Sequence, residues 1–159
     1  MDEREPRTSL KELLEETRIL LPGTQVFLSI LLMLPFTTRF VALTSLERHV
    51  YLCTVFSTLL ALACFVTPAA YHRLAYPVHH RISFKLFANW FLVAGLVPFS
   101  ASIVLTTYLV TSVVAPNAAL AATIGMGLVI GALWWLVPIA RAHDWYGRRF
   151  RPGPNDVEP

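Results

Sequence analysis

From Leu86 to Ala140, 55 consecutive residues contain no Asp, Glu, Lys or Arg. One crossing of a bilayer's hydrocarbon core needs about 20 mostly apolar residues. The run is therefore long enough to cross twice, and Ala115-Pro116-Asn117 supplies a break between the crossings. Two further apolar stretches lie upstream, Ile19 to Thr38 and His49 to Tyr71. The pattern predicts an all-α protein, a four-transmembrane-helix bundle with spans at about 24–40, 46–71, 84–113 and 118–140.

Ahead of the first span the pattern becomes amphipathic. Ser9 followed by Glu12 reads as a capping box. Leu10, Leu13, Leu14, Thr17 and Leu21 then share one helical face, with Lys11, Glu12, Glu15, Glu16 and Arg18 on the rest. This predicts an N-terminal cytoplasmic amphipathic helix. Thr8 to Leu21 holds two basic and three acidic residues. That balance does not suit an anionic leaflet, so the helix is expected to dock on protein. Residues 1–7 read as a flexible tail, 8–150 as a single membrane domain and 151–159 as a disordered tail. Pro22-Gly23 predicts a break or bend before the first span, and Pro35 a kink near its far end. Thr44 with Glu47 forms a second capping box that opens the second span.

Composition agrees with the membrane reading: 55% of residues are hydrophobic and 14% charged, against about 25% charged in soluble domains. No short apolar core follows a basic start, so the first span is expected to act as an uncleaved anchor. Charge sets the orientation. The N-terminal segment, the connection between spans two and three and the C-terminal tail together hold 11 Lys and Arg, while the opposite side has Arg39 and Arg48 alone. By the positive-inside rule both termini are cytoplasmic. Trp90, Trp134, Trp135, Trp145 and Tyr146 fit aromatic belts at the inner interface.

Small residues mark candidate helix contacts. Gly127 and Gly131 form a GxxxG in the fourth span, with Gly125 on a neighbouring ridge. Cys53, Ser57 and Ala61 make a comparable row in the second. Such rows let another helix approach closely, within the chain or in a second copy. Cys53 and Cys64, eleven residues apart on one helix, are about 16 Å from each other and cannot bridge.

Candidate chemistry is sparse. None of the ten acidic residues falls within the hydrocarbon depth, and proton-coupled exchange ordinarily relies on an intramembrane carboxylate. Gln25 and Asn89 each sit about one turn inside the cytoplasmic end of a span, as interhelical hydrogen bonds or as a polar lining. His72, His79, His80 and His143, with Asp144, gather on the cytoplasmic side, but the adjacent His79-His80 pair lacks the i, i+4 spacing of a preset metal site. There is no nucleophile–base pair and no Gly-rich phosphate loop, so no enzyme activity and no cofactor are expected. Arg148-Arg149-Phe150-Arg151 is too short for a nucleic-acid site. The expected partners are the lipid bilayer and either a second copy or an unidentified membrane protein.

Several motifs together resemble a known group. They are residues 12–18 (Glu12-Leu13-Leu14-Glu15-Glu16-Thr17-Arg18), Pro22-Gly23-Thr24-Gln25 and Leu34-Pro35-Phe36-Thr37-Thr38-Arg39-Phe40. Glu47-Arg48-His49-Val50-Tyr51 and Pro68-Ala69-Ala70-Tyr71-His72-Arg73 extend the likeness. The set is similar to a family of small four-span bacterial integral membrane proteins of unknown function, some of them labelled sodium:proton antiporters. The resemblance covers roughly residues 10–75 and implies a bacterial inner-membrane location. It carries over no catalytic residue. Arg18, Arg39, Arg48 and Arg73 flank spans and belong to the matching motifs, where interfacial anchoring is their expected role.

Overall fold

The structure, a computed structural model, describes residues 4–74 and 81–141; of residues 4–18, 72 and 81–85 it describes the helical backbone alone. Four long helices follow in order, with no strand among the described residues: α1 (Arg4–Met33), α2 (Ser45–Leu74), α3 (Arg81–Val114) and α4 (Ala119–Ile130). α4 continues through a π-helical segment, Gly131–Leu136, and a further turn at 137–141. The expected break at Ala115-Pro116-Asn117 is a short 3₁₀ turn, Pro116–Ala118. Four stretches are long and apolar enough to cross a membrane: Ile19–Phe36, Ser45–Tyr71, Leu86–Val114 and Pro116–Arg141.

Prolines shape the first span differently from expectation. α1 runs without interruption through Pro22 and Gly23. Unwinding there would leave several backbone groups unpaired, which costs more in lipid than the single bond a proline removes. Ser9 accordingly lies within α1, five residues after its first described residue, and its side chain is outside the described residues. Most of the side chains that define the predicted amphipathic face, and Glu12, lie outside the described residues. Pro35 does more than kink the span. α1 stops at Met33, and two 3₁₀ turns follow, Leu34–Phe36 and Thr38–Ala42.

In an unbroken helix the Leu31 carbonyl would accept from the N–H of residue 35. Proline has no such N–H. The Tyr51 hydroxyl of α2 donates to this carbonyl instead, at 3.1 Å. Tyr51 is 5% exposed, and its ring meets Phe40 edge-on at 5.1 Å between centroids. Leu28, Leu31, Tyr51, Val55 and Leu109 pack around this bond as one apolar cluster. The group that proline leaves without a partner thus becomes the polar tie between α1 and α2.

α2 begins as its sequence predicts. The Thr44 N–H and hydroxyl donate to Glu47 Oε2 at 2.8 and 2.9 Å, and the Glu47 N–H donates back to the Thr44 hydroxyl at 3.3 Å. Its buried positions are Tyr51, Thr54, Thr58, Ala61, Phe65 and Pro68, with Val55 beside them. On α3 they are Ala88, Leu92, Gly95, Ser102 and Leu109. Both sets advance by alternating threes and fours or by sevens, the 3.5-residue repeat of a left-handed helix seam. Thr54 and Thr58 donate to the carbonyls of Val50 and Thr54 at 2.7 and 2.8 Å, and Ser102 to that of Phe99 at 2.8 Å. With their hydroxyls satisfied in their own helix, these residues pack as small side chains.

The tightest approach is at Gly95. A Cβ added there would fall 2.6 Å from Phe65 Cε1 and 3.0 Å from Cys64 Cβ. Phe65, fully buried, fills the space that the missing side chain leaves, with Ala61 and Leu92 around it and Leu20 and Leu21 of α1 packed on the outside. Toward the Leu74 end of the α2–α3 pair, Tyr71, Phe87 and Phe91 form a chain of rings with centroids 4.8 and 4.6 Å apart. The fourth span is attached differently. Trp134 stacks on Phe99 of α3 at 6.1 Å, and Ala119 and Ile130 are buried, but little else is. In the π segment the Val137 N–H reaches back five residues to Ala132. Pro138 follows directly, and the wider turn relieves the clash of its ring with the preceding carbonyls.

Candidate functional site

The GxxxG glycines lie at the edge of the α3–α4 contact and not in its centre. A Cβ on Gly127 would meet only Val104, at 3.9 Å, and one on Gly125 or Gly131 would meet nothing within 4 Å. Gly127 and Gly131, with Ser100, Ala101, Val104 and Trp135, border an open groove of about 340 Å³ between the two helices. Gly125 is exposed. The α2 row is split in the same way: Ala61 is fully buried, Ser57 half-buried and Cys53 exposed. A row spaced by four drifts off a seam that advances by 3.5, so only one of its members reaches the interface.

Gln25 and Asn89 are both exposed, and neither side chain makes a hydrogen bond among the described residues. They point out of the protomer. Among the arginines, Arg18 has its side chain outside the described residues, and Arg73 is exposed near the end of α2. Arg48 donates to the Val41 carbonyl at 3.0 Å and so clamps the connection between α1 and α2. Arg39 is exposed and forms no hydrogen bond or ion pair among the described residues.

The predicted cytoplasmic cluster cannot be placed: His79, His80, His143, Asp144 and the His72 side chain lie outside the described residues, as do Trp145, Tyr146 and the arginines beyond 141. Among the described residues no three His, Cys, Asp or Glu side chains gather as a metal site. His49 places Nδ1 2.6 Å from the Ser45 carbonyl one turn earlier. Both cysteines are free thiols.

Three features escaped the sequence reading. Gly95 sits in the region LVAGLVP, where its seven-residue spacing to Ala88 and Ser102 is the signal that marks it as a seam residue. The Leu31–Tyr51 bond had half a signal, since Pro35 implies an orphan carbonyl but not its partner. The third is a pocket of about 250 Å³ walled by Leu31, Phe40, Tyr51, Thr106 and Leu109, with Arg39 among its lining residues. It has no local sequence signature, because its walls come from α1, α2, α3 and the 34–43 connection.

Four membrane-length apolar helices, with hydroxyls bonded mostly to their own backbones, define a small multi-pass integral membrane protein. The model of a family of unknown function (DUF6328) matches residues 1–138, and the chain belongs to that family. No curated protein and no solved structure matches it.

Proposed function

We propose that this protein is a non-enzymatic membrane subunit that acts by assembly, and that the groove beside Gly127 and Gly131 receives the last span of a second copy. The supporting observation is the unfilled space at these glycines. Lipid tails are as apolar as leucine, so burial of apolar surface does not hold helices together in a bilayer. Close backbone approach at small residues does, and here the open groove bordered by Ser100, Ala101, Gly127 and Gly131 leaves room for it. The reading includes the bacterial inner membrane, with both termini cytoplasmic as the asymmetry of Lys and Arg indicates.

The test is energy transfer between donor- and acceptor-labelled copies reconstituted in liposomes, followed as lipid is added to dilute them. Transfer should exceed the random-proximity value in wild type and fall to it in Gly127→Leu. Wild-type transfer at the random value at every dilution would remove the proposal.

Ion conduction is the alternative, and it needs the same assembly. Gln25 and Asn89 face outward, so they could line a path only between copies. Proteoliposomes with an internal pH dye and imposed sodium and potassium gradients separate the two readings. Flux that disappears in the Gln25→Leu, Asn89→Leu double variant would replace the accessory role with a conducting one.

A further inference from the structure

We propose that the pocket between the Met33 end of α1, the 34–43 connection, α2 and α3 is a binding site for one anionic diacyl phospholipid. One acyl chain fills the pocket and the phosphate pairs with Arg39. Three independent observations converge on this occupant.

The first is space. The pocket measures about 250 Å³, and a dry apolar cavity of about 150 Å³ already admits benzene. Leu31, Leu34, Phe40, Leu109, Val110 and Val113 supply hydrocarbon walls. The second is charge. Arg39 lines the same pocket and has no hydrogen-bond or ion-pair partner among the described residues. A planar guanidinium matches a phosphate through two parallel hydrogen bonds, and a cation at the bilayer surface favours anionic lipid.

The third is an orphan hydroxyl. Thr24, Thr54, Thr58 and Thr107 each donate to the carbonyl four residues earlier. Thr106 does not. Its Oγ1 is buried with no hydrogen-bond partner, and the residue lines this pocket. A buried O–H calls for an acceptor. Thr106 precedes Ser112 by six residues, about 9 Å of helix, and Ser112 faces the Glu47 carboxylate at the start of α2. A hydroxyl slightly below a charged, headgroup-level residue meets the ester oxygens of a lipid. Those oxygens are the acceptors that the protomer itself does not supply.

The experiment uses the full-length protein in detergent. Binding is read by native mass spectrometry and by the shift of the thermal midpoint, with dioleoyl phosphatidylglycerol, the phosphatidylcholine of the same chains, the ether-linked phosphatidylglycerol, and oleate. Both lipids offer Arg39 a phosphate, but the choline cation beside it offsets that charge and is repelled by the guanidinium, so phosphatidylglycerol should bind about tenfold more tightly than phosphatidylcholine. Arg39→Gln should erase that preference, whereas Arg73→Gln at the other end of α2 should preserve it. Val110→Trp, at an exposed lining position, should block both lipids in a protein that is still helical and monodisperse. Thr106→Val should weaken the ester lipid about threefold, in line with one neutral hydrogen bond, and leave the ether lipid unchanged. Equal binding of the two headgroups, or a preference untouched by Arg39→Gln, would overturn the site. Oleate binding as tightly as phosphatidylglycerol would overturn the diacyl assignment.

Discussion

α2 and the last span are both long, apolar helices built to cross a bilayer, yet they occupy opposite positions in the protomer. In an 18-residue apolar window of the α2 span 33% of residues are buried, against 6% in the corresponding window of the last span. Hydropathy does not separate them. Spacing and size do. α2 places Tyr51, Thr54, Thr58, Ala61 and Phe65 on one 3.5-residue stripe, and α3 answers with small residues and a glycine where the phenylalanine needs room. The last span carries its small residues at the edge of its contact with α3, where they border a groove. In lipid a glycine is informative through what fills its missing side chain: Gly95 is filled by Phe65, and Gly131 by nothing in the protomer.

The sharpest way to break this comparison is to add one methyl group to each glycine. Gly95→Ala should destabilise the protein by about 1–3 kcal/mol, the usual cost of overpacking a filled core, measured by SDS-induced unfolding in mixed micelles. A smaller loss would mean that Phe65 and α3 separate easily, and the distinction between the two regions would weaken.

Tyr51→Phe comes next. It keeps the ring against Phe40 but leaves the Leu31 carbonyl unpaired, at a cost of about 1–2 kcal/mol. Pro35→Ala restores a backbone N–H within reach of that carbonyl, so Tyr51→Phe should cost less in the Pro35→Ala background than alone. Equal costs in both backgrounds would show that proline is not the reason for the bond.

Thr44→Ala should cost about 1 kcal/mol by removing the hydroxyl that accepts from the Glu47 N–H and donates to Glu47 Oε2, while the bond from the Thr44 N–H to Glu47 stays. Amide hydrogen exchange should then rise at residues 45–48 and stay unchanged along the last span. Gly131→Ala should have the smallest effect on protomer stability, near zero, since the added methyl group meets nothing within 4 Å. A loss as large as that of Gly95→Ala would place the groove inside the protomer's own core.

These outcomes also show which parts of the molecule the sequence makes legible. The four spans, the Thr44–Glu47 cap and the break at Ala115-Pro116-Asn117 depend on neighbours in the chain, and they are readable there. Pro22-Gly23 does not break α1, because a local rule drawn from water overstates how readily a helix opens in lipid. Of Cys53, Ser57 and Ala61, only Ala61 reaches the seam inside the protomer, because a four-residue spacing drifts off a seam that advances by 3.5. Gly95 and Tyr51 stay hidden for a third reason: each is defined by a partner on another helix, Phe65 and Leu31, and no local pattern names that partner. Gln25 and Asn89 invite a polar pairing that the helix rotation does not provide, since both are exposed.

The central claim is that the last span keeps an open face for a second copy. Cysteine-scanning cross-linking along α4 in native-like bilayers tests it most directly, in a background with Cys53 and Cys64 replaced. The account predicts oxidative dimers from Gly127→Cys and Gly131→Cys, and none from Met126→Cys, Val129→Cys or Leu133→Cys on the other side of the helix. Cross-linking that is uniform around the helix, or absent at both glycines while the protein is folded and inserted, would contradict it.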